Sequence, residues 1–244
     1  MFDIRLYDSL GSTNDKARRL AEGGAAHGTV VTAREQTAGR GRAGRSWASP
    51  PGNLYLSVLL RLDRTPGRLA ELSFVAALAV ADMVDGFLPP GVRAALKWPN
   101  DVLVGGAKIS GILLEQADGA TILGVGVNVA HAPAGTPYPA TSLAREGGEA
   151  SAASVEACRS ALLSALAKWL DAWLGAGFAP VRAAWLARAH PLGTPLRAGQ
   201  TDGAFAGLDA DGALLLDTQD GRRRVVAGEV FPNPGDGRAS GHRA

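Results

Sequence analysis

Two stretches hold most of the residues whose types and spacing could do chemistry. Gln36-Thr37-Ala38-Gly39-Arg40-Gly41-Arg42-Ala43-Gly44-Arg45-Ser46-Trp47 interleaves three glycines with three arginines and ends on an indole. Guanidinium forks match carboxylate and phosphate oxygens, and glycine adds mobility, so this stretch reads as a grip for an anion. Lys97-Trp98-Pro99-Asn100-Asp101, followed by Lys108-Ile109-Ser110-Gly111-Ile112, adds two ammonium groups, a carboxylate and the flat apolar wall of Trp98. Only four of the 25 basic residues are lysines, namely Lys16, Lys97, Lys108 and Lys168. A lysine in a distinctive setting therefore says more here than an arginine does.

Two further groups qualify. Ser12-Thr13-Asn14 offers hydroxyls and a carboxamide just ahead of a helical stretch, where the ordinary role of Ser12 and Asn14 is capping. Gly124-Val125-Gly126-Val127-Asn128 puts two glycines inside a strand-like run, which marks a bulge or a close contact. Asn128 could read an adenine edge or simply turn the chain. Asn100 and Asp101 sit at a turn, where such side chains often satisfy local backbone groups. Lys108 is harder to dismiss, because it opens an apolar strand beside Gly111, and a glycine there suggests close approach by a ligand. Trp47 divides evenly between covering a nucleotide and a plain core role.

Residues 39–44 match the G-x-G-x-x-G dinucleotide fingerprint letter for letter, but the context rejects it. That fingerprint needs a helix directly after the glycines, whereas Ser49-Pro50-Pro51-Gly52 and then a strand follow. No G-x-x-x-x-G-K-[ST] loop occurs either. A nucleotide would have to be held by arginines and backbone amides.

The elements that must position these groups follow from periodicity and turn residues. Residues 29–33 and 54–60 read as strands, which makes the arginine stretch a strand-to-strand loop. Residues 2–6 alternate as a short strand, and a helix over 17–21 stops at Gly23-Gly24. An apolar helix spans 69–87 and ends at Pro89-Pro90. Strands over 92–98, 102–104, 108–115 and 120–129 form an antiparallel meander turned at Gly105-Gly106 and Asp118-Gly119, with Lys97 and Lys108 on neighbouring strands. No strand–helix–strand alternation is apparent, so no parallel sheet is expected. Helices over 154–174 and 178–189 lead to a junction at Pro191-Leu192-Gly193. Beyond it, short β runs between Asp-Gly turns suggest a small barrel. The expected class is α+β, with a domain over 1–190, a β-module over 193–231 and a disordered tail over 232–244.

Composition narrows the function. A length of 244 residues accommodates one sizeable domain and a small appendix. A net charge of +2 does not mark a general polyanion binder. Cys158 is the only cysteine, which excludes an intrachain disulfide and a cysteine-based zinc site. No apolar run of about 20 residues appears, and Asp3, Arg5 and Asp8 interrupt any signal peptide. A cytoplasmic, soluble protein is the expectation.

Taken in order, Ser12-Thr13-Asn14, Gln36 with Gly39-Arg40-Gly41-Arg42, Gly44-Arg45 and Trp47, Lys97-Trp98-Pro99-Asn100-Asp101, Lys108 with Gly111 and Glu115, and Gly124, Gly126 and Asn128 resemble biotin protein ligases. Each motif is weak alone; five in order are specific. The segment 132–151 matches the family only loosely. The resemblance implies a mixed or antiparallel sheet flanked by helices, of the class II synthetase-like kind, with a C-terminal SH3-like barrel. It implies ATP-dependent formation of biotinyl-5′-AMP and transfer of biotin to a lysine of a carrier domain of acetyl-CoA or pyruvate carboxylase. Mg²⁺ would ride mainly on the nucleotide, with no dedicated metal site. Lys108, Arg40 and Asp101 would be catalytic. Ser12, Thr13, Asn14, Gln36, Arg40, Gly41, Arg42, Lys108 and Gly111 would bind biotin. Gly39, Arg42, Gly44, Arg45, Trp47, Lys97, Asn100 and Asn128 would hold ATP or the adenylate. Some family members carry an N-terminal repressor domain; here the catalytic motifs begin near residue 12, so no DNA partner is expected. A homodimer stays open. The rival readings are a lipoate-type ligase and an Arg/Gly-loop nucleic-acid module, the latter expected to bind with a steep salt dependence.

Overall fold

The computed structural model describes residues 2–136, 138–147 and 153–232. Seven strands, β1 (Asp3–Leu10), β2 (Thr29–Gln36), β3 (Leu54–Leu60), β4 (Ala94–Lys97), β5 (Asp101–Val104), β6 (Ala107–Ala117) and β7 (Ala120–Val127), form one sheet. Their order is β1-β2-β3-β7-β6-β5-β4. From β2 onward the pairing is antiparallel, as the meander predicts. β1 and β2, however, run parallel through the crossover helix α1 (Thr13–Glu22), which corrects the expectation of no parallel pairing. The only hydrophobic residues that α1 buries fully are Ala17 and Ala21, so its apolar stripe is too thin to announce a strand–helix–strand unit.

β3 is buried at every position, and apolar but for Ser57 and the Tyr55 hydroxyl, because both of its faces are covered. Leu54, Leu56, Val58 and Leu60 join the main core. That core is built with α3 (Leu72–Asp85), α4 (Val155–Ala176) and α5 (Phe178–Leu186). Leu59 faces the other way and packs with Ala17 and Ala21 of α1. The functional cavity opens on this second face, beside the N-terminus of α1.

Three further expectations change in detail. The apolar helix over 69–87 is two helices, α2 (Pro66–Ala70) and α3, meeting at buried Glu71. Glu71 accepts a hydrogen bond from Trp173 Nε1 at 2.6 Å, so the break serves a polar contact between helices. α5 ends at Leu186, and Ala189 beyond it bridges to Leu96 in parallel. Lys97 and Lys108 are not on neighbouring strands, because β5 lies between β4 and β6.

The C-terminal module is a five-stranded antiparallel sheet of β8 (Pro195–Ala198), β9 (Thr201–Leu208), β10 (Leu214–Thr218), β11 (Gly221–Val225) and β12 (Val230–Pro232). The strand order is β11-β10-β9-β8-β12. It packs back on the larger domain through Trp98, whose Nε1 donates to the Gly212 carbonyl at 3.0 Å. Trp98 is therefore buried against the module and does not wall the functional cavity, contrary to the sequence reading. Residues 233–244 of the expected tail, and 148–152 of the polar stretch, lie outside the described residues. Among the described residues no helix is long and apolar enough to cross a membrane.

Candidate active site

A cavity of about 340 Å³ lies between the N-terminus of α1, residues 40–48, β6 and β7. Its floor is bare backbone. Gly111 of β6 and Gly126 of β7 are register partners, and the Trp47 indole rests on both. A Cβ at Gly126 would stand 2.6 Å from Trp47 Nε1, and one at Gly111 would stand 3.1 Å from Cζ3. Two residues along β7, a Cβ at Gly124 would overlap Asn14 Oδ1. Trp47 and Asn14 thus account for Gly126 and Gly124 and crowd Gly111, and all three glycines also line the cavity. Among the described residues Trp47 Nε1 is buried without a partner, an unspent donor beside the cavity.

The arginine loop folds over this floor. Trp47 N donates to Gly39 O at 2.9 Å and Gly41 N to Arg45 O at 2.7 Å. Gly39 has no room for a side chain, because a Cβ would come within 2.5 Å of both Ser49 Oγ and Trp47 O. The tip turns through Ala43 and Gly44, at φ 54° and 72°, where glycine is at no disadvantage. Neither Gly39 nor Gly44 lines the cavity; both shape the loop that does.

One end of the cavity is a chain of hydrogen bonds. Glu115 Oε2 accepts from Asn14 Nδ2 at 2.9 Å. Ser57 Oγ lies 2.6 Å from Asn14 Oδ1 and 2.8 Å from Thr13 Oγ1. Gln36 Oε1 accepts from the Thr13 backbone N–H and hydroxyl at 2.8 and 3.0 Å, while Gln36 Nε2 donates to Ser49 Oγ at 2.9 Å. Ser12 occupies the N-cap position, yet its side chain makes no capping bond. The capping reading of Ser12 and Asn14 therefore fails: the first keeps its hydroxyl for the cavity and the second is spent on the network.

The other end is cationic. Asp101, 7% exposed, lies 2.9 Å from Lys97 Nζ and 2.5 Å from Lys108 Nζ. Burial alone would raise the Asp101 pKa, but Lys108 and Lys97 together outweigh it and hold the carboxyl below its ordinary value. Burial pushes the Lys97 ammonium below its usual range, against the opposing pull of Asp101. Lys108 reaches the cavity with its ammonium 5.5 Å from the Trp47 ring centre. Arg42, its pKa lowered by burial, donates to Asn100 Oδ1 at 3.3 Å. Asn100 in turn donates to the Ile112 carbonyl at 2.6 Å.

The structure gathers Ser12, Thr13, Asn14, Gln36, Arg40, Gly41, Arg42, Arg45, Trp47, Asn100, Lys108, Gly111 and Asn128 around one cavity. Asp101 and Lys97 lie beneath it rather than on its wall. Arg40 is not a free cation. It makes a bidentate pair with Asp15 at 2.6 and 2.7 Å and approaches Glu115 at 3.8 Å. The hydrogen bond from Arg40 is the main reason the Asp15 carboxyl titrates low. Asn128 donates to the Thr141 carbonyl at 2.9 Å, the chain-turning use left open above. Sequence reasoning missed Ser49, Ser57 and Tyr138. Ser57 had a signal, as the one polar residue in the run Leu54–Leu60 that is otherwise apolar or aromatic. Tyr138 lies in the loosely matching segment and had none.

A pocket with a polar end, a cationic end and a glycine-turned loop across it defines a small-molecule enzyme whose substrates include an anion. The chain belongs to the biotin/lipoate A/B protein ligase family, whose pattern matches residues 7–131, and a biotin protein ligase C-terminal domain matches 195–231. The second match identifies the five-stranded module as that family's SH3-like domain. The chain is 43% identical to a biotin–[acetyl-CoA-carboxylase] ligase of Paracoccus denitrificans, over 90% of this chain and 96% of that one. It is 40% identical to a protein of the same name from Mycobacterium tuberculosis, over 90% and 85% of the two chains. A solved biotin protein ligase from Aquifex aeolicus, in complex with biotin and ATP, superposes with a TM-score of 0.81 at 27% identity, covering 95% of this chain and 98% of that one. Within the family, the chain stands with the biotin–protein ligases.

Proposed function

We propose that the cavity binds biotin at its hydrogen-bonded end and ATP at its cationic end, and that Lys108 brings the two reacting anions together. The observation that carries this is the Lys108 ammonium, fixed by Asp101 and aimed between Trp47 and Gly111. A biotin carboxylate oxygen attacks the α-phosphorus, pyrophosphate leaves, and biotinyl-5′-AMP remains. Two unit charges about 4 Å apart repel by roughly 4 kcal/mol in a partly screened site, and Lys108 with Arg42 and Arg45 offsets that cost. Ser12, Thr13, Asn14 and Gln36 face biotin, with the Asn14 side chain held by Glu115 and Ser57. Arg40 clamps the loop onto Asp15 and thereby positions Gly41 and Arg42. Trp47 and the closed loop keep water from the mixed anhydride.

In the second half, the amine of an acceptor lysine attacks the anhydride carbonyl and AMP departs. A carboxylate held ionised by two lysines is a weak base, so Asp101 orients Lys108 and the incoming amine rather than taking a proton outright. At this end the carboxylates of Asp101 and Glu229 already face cations. Mg²⁺ would accordingly be carried by the triphosphate and water. The acceptor is a biotin carboxyl carrier domain, of acetyl-CoA carboxylase or of pyruvate carboxylase, met in the cytoplasm; assembly as a homodimer is compatible with this course. We take the domain boundaries to be 1–190 and 193–231.

The test is incubation with ATP and either biotin or lipoate, followed by mass analysis of the bound acyl-adenylate. Biotinyl-AMP alone supports the reading; lipoyl-AMP alone replaces it.

A further inference from the structure

The C-terminal module reaches the mouth of the cavity at two places, both on the segment that enters β12. Glu229 pairs with Arg45 of the arginine loop. One step further, the Val230 carbonyl accepts from the Tyr138 hydroxyl at 2.9 Å, and the Phe231 ring stacks on Tyr138 with centroids 4.9 Å apart. Tyr138 lines the cavity and also takes the Lys97 ammonium 4.0 Å from its ring centre. Three consecutive residues of the module thus touch one cavity-lining cation and one cavity-lining aromatic.

The geometry points to Glu229 as a positioning residue for ATP, acting through Arg45. This rests on the reading of the cationic end as the nucleotide site. Arg45 Nε donates to the Arg42 carbonyl at 3.3 Å and Nη2 meets Glu229, so two corners of the guanidinium are fixed. Among the described residues Nη1 takes no partner, and Arg45 lines the cavity. A guanidinium held on two sides presents its remaining donor to a phosphate without first losing side-chain freedom. Arg45 and Glu229 are 47% and 37% exposed at their side chains, and ion pairs so exposed contribute little to folding. Stability is therefore a poor explanation for the contact, whereas orientation is a good one. Biotin, at the opposite end of the cavity, should not sense it.

The experiment uses the full chain with Glu229→Gln, Glu229→Ala and Glu229→Asp. Titration with a non-hydrolysable ATP analogue in a calorimeter should show affinity lowered about tenfold in the first two, the scale of one misaligned charge-assisted hydrogen bond, and partly restored in the third. In turnover, KM for ATP should rise by a similar factor while KM for biotin and the melting temperature stay put. Unchanged analogue affinity would overturn the assignment, as would equal losses for both substrates with a lowered melting temperature, the mark of a purely structural contact. The unsubstituted chain is the control. If it forms no biotinyl-AMP, the function reading fails rather than this one.

Discussion

Lys108 and Gly111 share the cavity face of β6 although three residues apart, a spacing that puts side chains on opposite faces of a regular strand. The cause is a break in register between β5 and β6: Leu103 pairs with Lys108 but Val102 with Ser110, leaving Ile109 as the extra residue. This bulge lets Ile109 and Ile112 both enter the core while Lys108 and Gly111 both face the cavity. The lysine that meets the substrates and the glycine that admits Trp47 beside it are thus placed by one local irregularity.

The glycine floor separates two functions. Gly126→Ala must displace the Trp47 indole, and Gly124→Ala must displace Asn14. The first should expose Trp47 to iodide quenching and speed hydrolysis of the bound adenylate. The second should raise KM for biotin about tenfold or more, the scale of one or two lost hydrogen bonds, with the adenylate lifetime unchanged. Identical kinetic profiles for the two variants would refute the division.

Arg40 and Asp15 should behave as one unit. Their side chains are 34% and 36% exposed, so breaking the pair should cost about 0–1 kcal/mol of stability. Arg40→Ala, Asp15→Ala and the double variant should therefore melt alike, and each should slow adenylate formation to a similar degree because the loop loses its anchor. A double-mutant cycle with additive kinetic effects would show that Arg40 instead meets the substrate directly.

Asp101 gives a pH signature. Its folded-state pKa lies below the ordinary 3.8. The carboxylate therefore contributes stability above the unfolded value, and that contribution is lost as pH falls through the lower, folded value. Asp101→Asn should remove this loss and flatten acid unfolding below pH 3.8. At neutral pH it should cost about 3 kcal/mol, because buried Lys97 loses its counter-charge. Urea melts between pH 7 and pH 3 would decide, and parallel profiles for variant and parent would count against it.

Local chemistry was legible in the sequence and long-range chemistry was not. The β3 bounds came out as read, because an apolar run between a Pro/Gly turn and polar residues leaves no alternative. The hairpins were visible as well: Gly105, Gly106, Asp118 and Gly119 all adopt positive φ, which those residue types tolerate. The five motifs led to the cavity and to the family. What could not be read was which groups are already engaged. That Arg40 is held by Asp15, and that Trp98 serves the C-terminal module, depend on residues brought together only by the fold.

The central claim is that Lys108 offsets the repulsion between the biotin carboxylate and the α-phosphate. The direct measurement is single-turnover pyrophosphate release, with enzyme in excess over biotin, comparing the parent with Lys108→Ala. A fall of about 10²-fold or more in the rate constant is expected for loss of a charge-stabilising donor, with biotin affinity little changed. A rate within a few-fold of the parent would contradict the account.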